Sequence, residues 1–432
     1  MVRNRIDVIS LGCSKNLVDS EKLMRQLEHQ GYTVFHNPEK IRGEIVVINT
    51  CGFIGDAKEE SVNMILEACQ EKALHHINKV FVMGCLSERY AVELNKEIPE
   101  VDKYYGKFNW NELLADLGKE YNCSIQSQRT LTTPSHYAYL KISEGCNRAC
   151  AYCAIPIITG KHVSRPIGDI IDEAQWLIDQ GVKEIQLIAQ DLTYYGSDLY
   201  HKQNIAELVD KLSDLPGVEW LRLHYGYPTH FPYDLLTVMR DKNNICKYLD
   251  LALQHISDPV LKNMRRNITA EETYSLLETI RKEVPGIFLR TTLMVGFPGE
   301  TEADFELLKE FVKTIRFERM GTFAYSEEEG TYAAKHYIDD VPNEVKEARV
   351  SELMSIQQGI AEEISESLVG KTMKVIIDRE EGDFYVGRTE YDSPEVDSEV
   401  LFLKKNKRLK IGELYTSKIT DSNIFDLFAE TI

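Results

Sequence analysis

Three cysteines fall within eight residues of one segment, Gly145-Cys146-Asn147-Arg148-Ala149-Cys150-Ala151-Tyr152-Cys153. Nothing else in the 432-residue chain restricts its fold and chemistry as strongly. The spacing C-x3-C-x2-C cannot close a tetrahedral zinc site, and no histidine at zinc-finger spacing follows it. Three thiolates can instead hold three irons of a 4Fe-4S cluster and leave the fourth open to a small ligand. Disulfides explain the pattern poorly. Nine cysteines are an odd number, the chain is long, and the first residues run directly into a strand-like segment without the apolar stretch of an export signal. The expected location is cytoplasmic, and no run of about eighteen apolar residues marks a membrane span.

The cysteine loop follows the first strand of a long β/α series. Strands are expected at 138–143, 184–189, 220–225, 248–253, 288–295 and 320–325, with helical patterns at 168–180, 270–283 and 302–315 between several of them. Six such units predict a partial (β/α) barrel, in which chemistry sits at the C-terminal ends of the strands. Ahead of it, β-rich runs at 6–10, 45–49 and 80–83 alternate with helical patterns and predict a parallel-sheet α/β domain. The polar stretch 113–134 reads as a boundary. Residues 343–368 form a polar helix with Leu353, Ile356, Ile360, Ile364 and Leu368 on one stripe, closed by Gly370. Short strands at 374–378, 384–389, 399–403 and 413–419 then predict a small all-β barrel. The fold class is α/β with a terminal β-barrel, and the expected domains are 3–120, 132–366 and 368–432.

A second group of cysteines emerges from position and not from spacing. Cys13 follows Ile9-Ser10-Leu11-Gly12, Cys51 follows Ile48-Asn49-Thr50, and Cys85 follows Val82-Met83-Gly84. Each comes just past a strand of the amino-terminal domain, and in a parallel sheet such ends lie along the edge where ligands bind. Three thiolates meeting there could hold a second cluster. Cys69, Cys123 and Cys246 have no partner at metal spacing and are expected to pack.

The C-x3-C-x2-C loop, with Tyr152 before its last cysteine, resembles the signature of radical S-adenosylmethionine (SAM) enzymes. The two cysteine groups together resemble the methylthiotransferase branch of that family. Leu11-Gly12-Cys13-Ser14-Lys15-Asn16, Asn49-Thr50-Cys51, Gly296-Phe297-Pro298-Gly299-Glu300-Thr301, Tyr325-Ser326 and Glu329-Gly330-Thr331 match its motifs over nearly the whole chain. The resemblance implies two 4Fe-4S clusters, one on Cys146, Cys150 and Cys153 and one on Cys13, Cys51 and Cys85. It implies SAM both as radical source and as methyl donor, a sulfur-bearing second cluster, a reducing partner such as a flavodoxin or ferredoxin, and a TRAM-like terminal barrel that presents substrate. Ala189-Gln190-Asp191 stands where many such enzymes carry a Gly-Gly-Glu-type motif. Contacts to SAM are therefore placed by position, at Tyr152, Gln190, Gln254 and Gly296, and the last three fit a turn or capping role equally well.

The family has a branch that modifies an aspartate β-carbon of small-subunit ribosomal protein twelve and a branch that modifies a tRNA adenosine. Cys13-Ser14-Lys15-Asn16 is closer to the Cys-Pro-Lys-Asn form of the protein-modifying branch. A formal charge of −19 also favours a basic protein over an RNA backbone. Residues 368–432 carry ten Lys/Arg against thirteen Asp/Glu, a net of −3. The run Lys404-Lys405-Asn406-Lys407-Arg408-Leu409-Lys410 speaks for tRNA, although a lysine-rich turn on a small barrel is usually solvated. A non-catalytic iron–sulfur electron or sulfur carrier is the remaining reading. Two-cluster ferredoxins, however, need four ligands per cluster.

Overall fold

The computed structural model describes residues 4–41, 43–405 and 408–432. Its first sheet has strands β1 (Arg5–Ser10), β2 (Thr33–His36), β3 (Ile45–Thr50), β4 (Lys79–Gly84) and β5 (Lys103–Tyr104) in the order β2-β1-β3-β4-β5, all parallel. Helices α1 (Ser14–His29), α2 (Gly55–Ala73) and α3 (Cys85–Glu97) connect and cover it. Every residue of β3 is buried, as expected of a central strand covered on both faces. Because β1, β3 and β4 are neighbours, their C-terminal ends lie side by side.

The second sheet is made of β6 (Tyr137–Lys141), β9 (Glu184–Ile188), β10 (Trp220–Gly226), β11 (Ile245–Gln254), β12 (Phe288–Val295) and β13 (Arg319–Ala324). These are the six expected strands, joined in parallel in sequence order, with β6 and β13 at the edges. A two-stranded ribbon of β7 (Ser143–Glu144) and β8 (Val163–Ser164) closes the base of the cysteine loop. The outer face packs on helices that include Ile205–Ser213 and Asp234–Asp241, both missed in the sequence. The long helix Asn343–Leu368 has the expected limits, with Leu353, Ile360 and Leu368 buried. Strands β14 (Thr372–Glu381), β15 (Phe384–Thr389), β16 (Val400–Leu403), β17 (Leu414–Ser422) and β18 (Leu427–Thr431) close a barrel. Among the described residues no helix is long and apolar enough to cross a membrane.

Buried charge fixes how the three parts sit together. Helix α1 turns Leu23, Met24 and Leu27 to its own sheet, yet Asp19, Glu21 and Gln26 are equally buried. Those polar residues face the second unit. Glu21 pairs with Arg129 (3.1 Å), Lys22 with Glu173 (3.1 Å), and Asp19 with Lys141. The stretch read as a boundary thus contains Arg129, a fully buried joint. At the other end the terminal barrel plugs the second sheet. Glu184 receives Arg222 (2.8 Å) and Arg388 (2.8 Å), and Arg388 also binds Asp378 (2.6 Å). The segment between β15 and β16 spans the opening from Tyr137, bound by Glu395 (3.1 Å), to Arg319, bound by Asp392 (2.5 Å), and to Arg290, bound by Asp397.

Candidate functional site

The amino-terminal motifs are a set of staples. Asn16, at the start of α1, donates its side-chain amide to Leu11 O (2.7 Å) and Asn49 O (3.2 Å). Asn49 returns a bond to Asn16 O (3.0 Å) and another to Ser20 Oγ (2.8 Å). Thr50 donates to Met83 O (2.6 Å), which ties the end of β3 to the end of β4. Ser61 of α2 clamps Cys51 from both sides, accepting from its N–H (3.0 Å) and donating to its carbonyl (2.9 Å). These bonds hold the turns carrying Cys13, Cys51 and Cys85 against one another. A Cβ at Gly12, whose φ is +87°, would lie 2.8 Å from the Cys51 sulfur, so the residue before Cys13 must be glycine.

Structure therefore brings the expected amino-terminal trio together. Cys13 is exposed, Cys85 half-buried and Cys51 buried. Burial raises the Cys51 thiol pKa and pushes that of Cys85 up to about 12, and neighbouring thiols of the trio add to both effects. Lys107 opposes the rise at Cys85. It is itself buried, with Glu144 3.0 Å and Asp19 3.7 Å away.

The second trio sits beyond the C-terminal end of β6. Gly145, at φ +72°, allows the chain to turn where a Cβ would lie 2.1 Å from Lys161 O. The Cys146 N–H donates to Gly160 O (3.2 Å), the Ala151 N–H to Met264 O (2.9 Å), and the Ala333 N–H to Ala151 O (2.7 Å). Burial first, with Asp191 and then Cys150 after it, pushes Cys146 up to about 11, and burial followed by the Cys150 and Cys146 thiols pushes Cys153 up to about 12. Two arginines enclose this loop. Arg266 is buried and donates to Cys150 Sγ (3.4 Å) and Tyr152 OH (3.3 Å). Arg148 is anchored by Asp191 (2.7 Å). Their guanidinium carbons stand 4.0 Å and 4.2 Å from the Tyr227 ring.

Sequence reasoning missed Arg266 and Tyr227, because neither lies near a cysteine in the chain. Arg148 was in view inside the motif. Among the other expected residues, Tyr152 lies edge-on to Phe297 at 6.4 Å, and Gln254 ends β11 with φ +72°. Gln190 lies just past β9, half-buried. Gly296 donates its N–H to Glu300 (2.7 Å), and a Cβ there would strike Lys346 at 2.2 Å, which is the geometry of a packed turn. Cys69 and Cys246 pack in apolar clusters as expected. Cys123 does not: it is exposed on a short 3-10 turn that buries Ile125 instead.

Among the described residues no group of three His, Cys, Asp or Glu side chains closes on a point suited to a single metal ion. An iron–sulfur cluster makes a different demand, since each thiolate takes a separate iron and the ligands stand around the cluster's corners. Two sets of three soft sulfur donors, each without a fourth protein ligand, suit such clusters with one open position. The amino-terminal domain covers the strand ends of the second sheet. Arg89 bridges Gly52 O (2.9 Å) and Glu328 (3.1 Å), and the Lys15 ammonium stands 3.3 Å from the centre of the Tyr225 ring.

Comparison with known proteins agrees with this architecture. Residues 5–106 match Uncharacterized protein family UPF0004, residues 140–312 the Radical SAM superfamily, and residues 369–432 the TRAM domain. Ribosomal protein uS12 methylthiotransferase RimO of Bacteroides fragilis is 66% identical over 432 residues, covering 100% of both chains. The chain belongs to the RimO family of radical SAM methylthiotransferases. The RimO protein of Porphyromonas gingivalis is 60% identical over 433 residues, again covering 100% of both chains. Among solved structures, the cobalamin- and [4Fe-4S]-bound radical SAM methyltransferase TsrM of Kitasatospora setae matches with a TM-score of 0.55 at 14% identity, covering 75% of each chain. At that identity the likeness concerns the fold alone.

Proposed function

We propose that this chain inserts a sulfur atom and a methyl group at the β-carbon of an aspartate of ribosomal protein uS12. The observation that carries the reading is the pairing of two thiol trios at the C-terminal edges of two sheets that cover one another, in a chain 66% identical over its full length to a uS12 methylthiotransferase. Cys146, Cys150 and Cys153 would hold one cluster, and Cys13, Cys51 and Cys85 a second. When bound, the first would supply the electron for reductive cleavage of SAM, and the second would serve the sulfur side of the reaction.

The chain's own residues then have definable roles. Arg266 and Arg148 place fixed positive charge beside the first trio, and Arg266 holds the Cys150 sulfur and the Tyr152 hydroxyl in register. Asn16, Asn49, Thr50 and Ser61 keep the second trio assembled. Tyr152, Gln190 and Gln254 stand where SAM would contact protein, and Gly296 shapes the neighbouring turn. Proposed domain limits are 3–120, 132–366 and 368–432. An electron donor of flavodoxin or ferredoxin type would be required. A uS12 substrate places the reaction in the cytoplasm.

A tRNA substrate has less support. Part of the lysine run is occupied locally, since Lys404 pairs with Glu380 (3.1 Å) and bonds Gly382 O (3.0 Å), while Asn406 and Lys407 lie outside the described residues. The test supplies reconstituted enzyme, SAM and a reductant with both uS12 and tRNA and follows the mass of a methylthio group. Mass on the uS12 aspartate is expected. Mass on tRNA alone refutes the substrate assignment, and absence of 5′-deoxyadenosine refutes catalysis in favour of a carrier.

A further inference from the structure

The two edges of the six-stranded sheet are finished differently. On β6 the outward carbonyls of Tyr137, Tyr139 and Lys141 are capped by Thr133 Oγ1 (2.7 Å), Arg129 Nη2 (2.6 Å) and Arg165 Nη1 (2.6 Å). The outer edge of β13 has no such hydrogen-bonded caps, although the helix Asn343–Leu368 packs against the strand and leaves Met320 and Thr322 only 8% exposed. The N–H of Tyr325, which follows β13, donates inward to Val295 O (2.8 Å). Main-chain groups alternate sides along a strand. Arg319, Gly321 and Phe323 therefore bond to β12, while Met320, Thr322 and Ala324 direct their N–H and C=O groups outward. Among the described residues no side chain or loop bonds those outward groups. An uncapped edge is normally blocked, because it invites another chain to pair with it.

Its surroundings say what kind of chain fits. Leu289, Leu293 and Val295 of β12 face the helical core, so Arg290, Thr292 and Met294 face the lumen. Phe323 is paired with Met294 and stands on that same lumen face, 60% exposed. A strand added beside β13 would send every second side chain onto the lumen face. The opening between β13 and β6 has a floor, the segment from Asp392 to Asp397, and a roof, the amino-terminal domain with its exposed Cys13. Glu327 and Glu329 are exposed just past β13, and Glu395 is exposed on the floor segment, giving the opening an acidic rim. Such a rim favours a basic protein over a nucleic-acid backbone.

We propose that β13 is the docking edge for the protein substrate: an extended segment of uS12 pairs with Arg319–Ala324 as an additional strand and thereby turns its aspartate side chain into the lumen. This rests on the uS12 reading above. Main-chain bonds would supply alignment, and alternation would decide which side chain enters. The floor segment and the acidic rim would set the direction of entry.

Amide hydrogen exchange on the full-length reconstituted protein, with and without purified uS12, tests the proposal. Exchange at Met320, Thr322 and Ala324 is expected to slow about tenfold or more on binding, with the β6 edge unchanged. Ala324→Pro removes one outward N–H at a position where an edge strand tolerates proline, and is expected to weaken uS12 binding about tenfold. Binding with unaltered exchange at those three amides, or full affinity in Ala324→Pro, overturns the docking mode and leaves the substrate assignment intact. No binding of uS12 at all overturns both. Protection that appears without uS12 and grows with enzyme concentration would assign the edge to a second copy of this chain and overturn the proposal.

Discussion

Replacing Glu173 by glutamine probes how the amino-terminal domain is held on the core. Glu173 is fully buried, with Arg165 at 2.7 Å, Lys22 at 3.1 Å and Arg129 at 3.2 Å. Burial alone would raise its pKa, yet Lys22, Arg165 and Arg129 together bring it down from 4.5 to about 2. That fall corresponds to about 3 kcal/mol of stability favouring the charged form. Removing one member of a buried ionic cluster costs about 3–5 kcal/mol, because the remaining charges are left uncompensated. The two routes agree. The arrangement is lopsided, however, since three cations share one carboxylate. Burial first, and Arg165 and Arg129 after it, bring Lys22 down to about 8 despite its contact with Glu173. Glu173→Gln should therefore lose about 3 kcal/mol in urea unfolding at pH 7, whereas Lys22→Met should lose less than about 1 kcal/mol. The contribution of a carboxylate with a lowered pKa is complete above its unfolded value and fades as pH falls toward its folded value. The gap between wild type and Glu173→Gln should thus narrow below about pH 4.5. A gap under about 1 kcal/mol at pH 7, or one that does not narrow in acid, refutes the electrostatic account of this joint.

Further outcomes follow from the site. Anaerobic reconstitution should give about eight irons per chain in wild type and about four when Cys13, Cys51 and Cys85 are all alanine, and near-full iron in that variant removes the second cluster. Cys150→Ala should abolish 5′-deoxyadenosine formation, while Cys51→Ala should retain it and lose sulfur insertion; equal loss of both activities contradicts the division of roles. Asn16→Ala strands the Leu11 carbonyl and removes one of the donors to the Asn49 carbonyl, so it should cost about 1–3 kcal/mol and lower iron retention at the amino-terminal trio, read by urea unfolding and iron content. Truncation after Leu368 should destabilise the core itself, since the loss of Arg388 leaves the buried Glu184 with one cation, Arg222, beside the Gln186 amide; an unchanged unfolding midpoint would show that the barrel is merely appended.

The acidity of the terminal barrel has less reach than its net charge implies. Glu380 is paired with Lys404 and Glu381 with Arg379 (2.7 Å), so lysine reversals there disrupt local pairs before they alter a long-range field. Exposed acids nearer the lumen, at Glu327, Glu329 and Glu395, are better placed to steer a basic substrate.

By itself the sequence determined the parts. Alternation with period two and helical periodicity located nearly every strand of both sheets, and C-x3-C-x2-C within one loop declared its chemistry, because these signals depend only on neighbours in the chain. Even Cys13, Cys51 and Cys85 could be grouped, since position after a strand is itself a local property. Strands β2, β5 and β18 escaped because they are short and only partly buried, so little periodicity marks them. Tertiary structure alone decided that Arg266 reaches Cys150 across 116 positions, that the polar face of α1 is buried and not solvated, and that one sheet edge has its carbonyls capped by side chains while the other does not. Those outcomes depend on which strand lies beside which and on where unpaired main-chain groups and charges find partners. Strand order and charge pairing are settled between segments distant in the chain, and local pattern does not encode them.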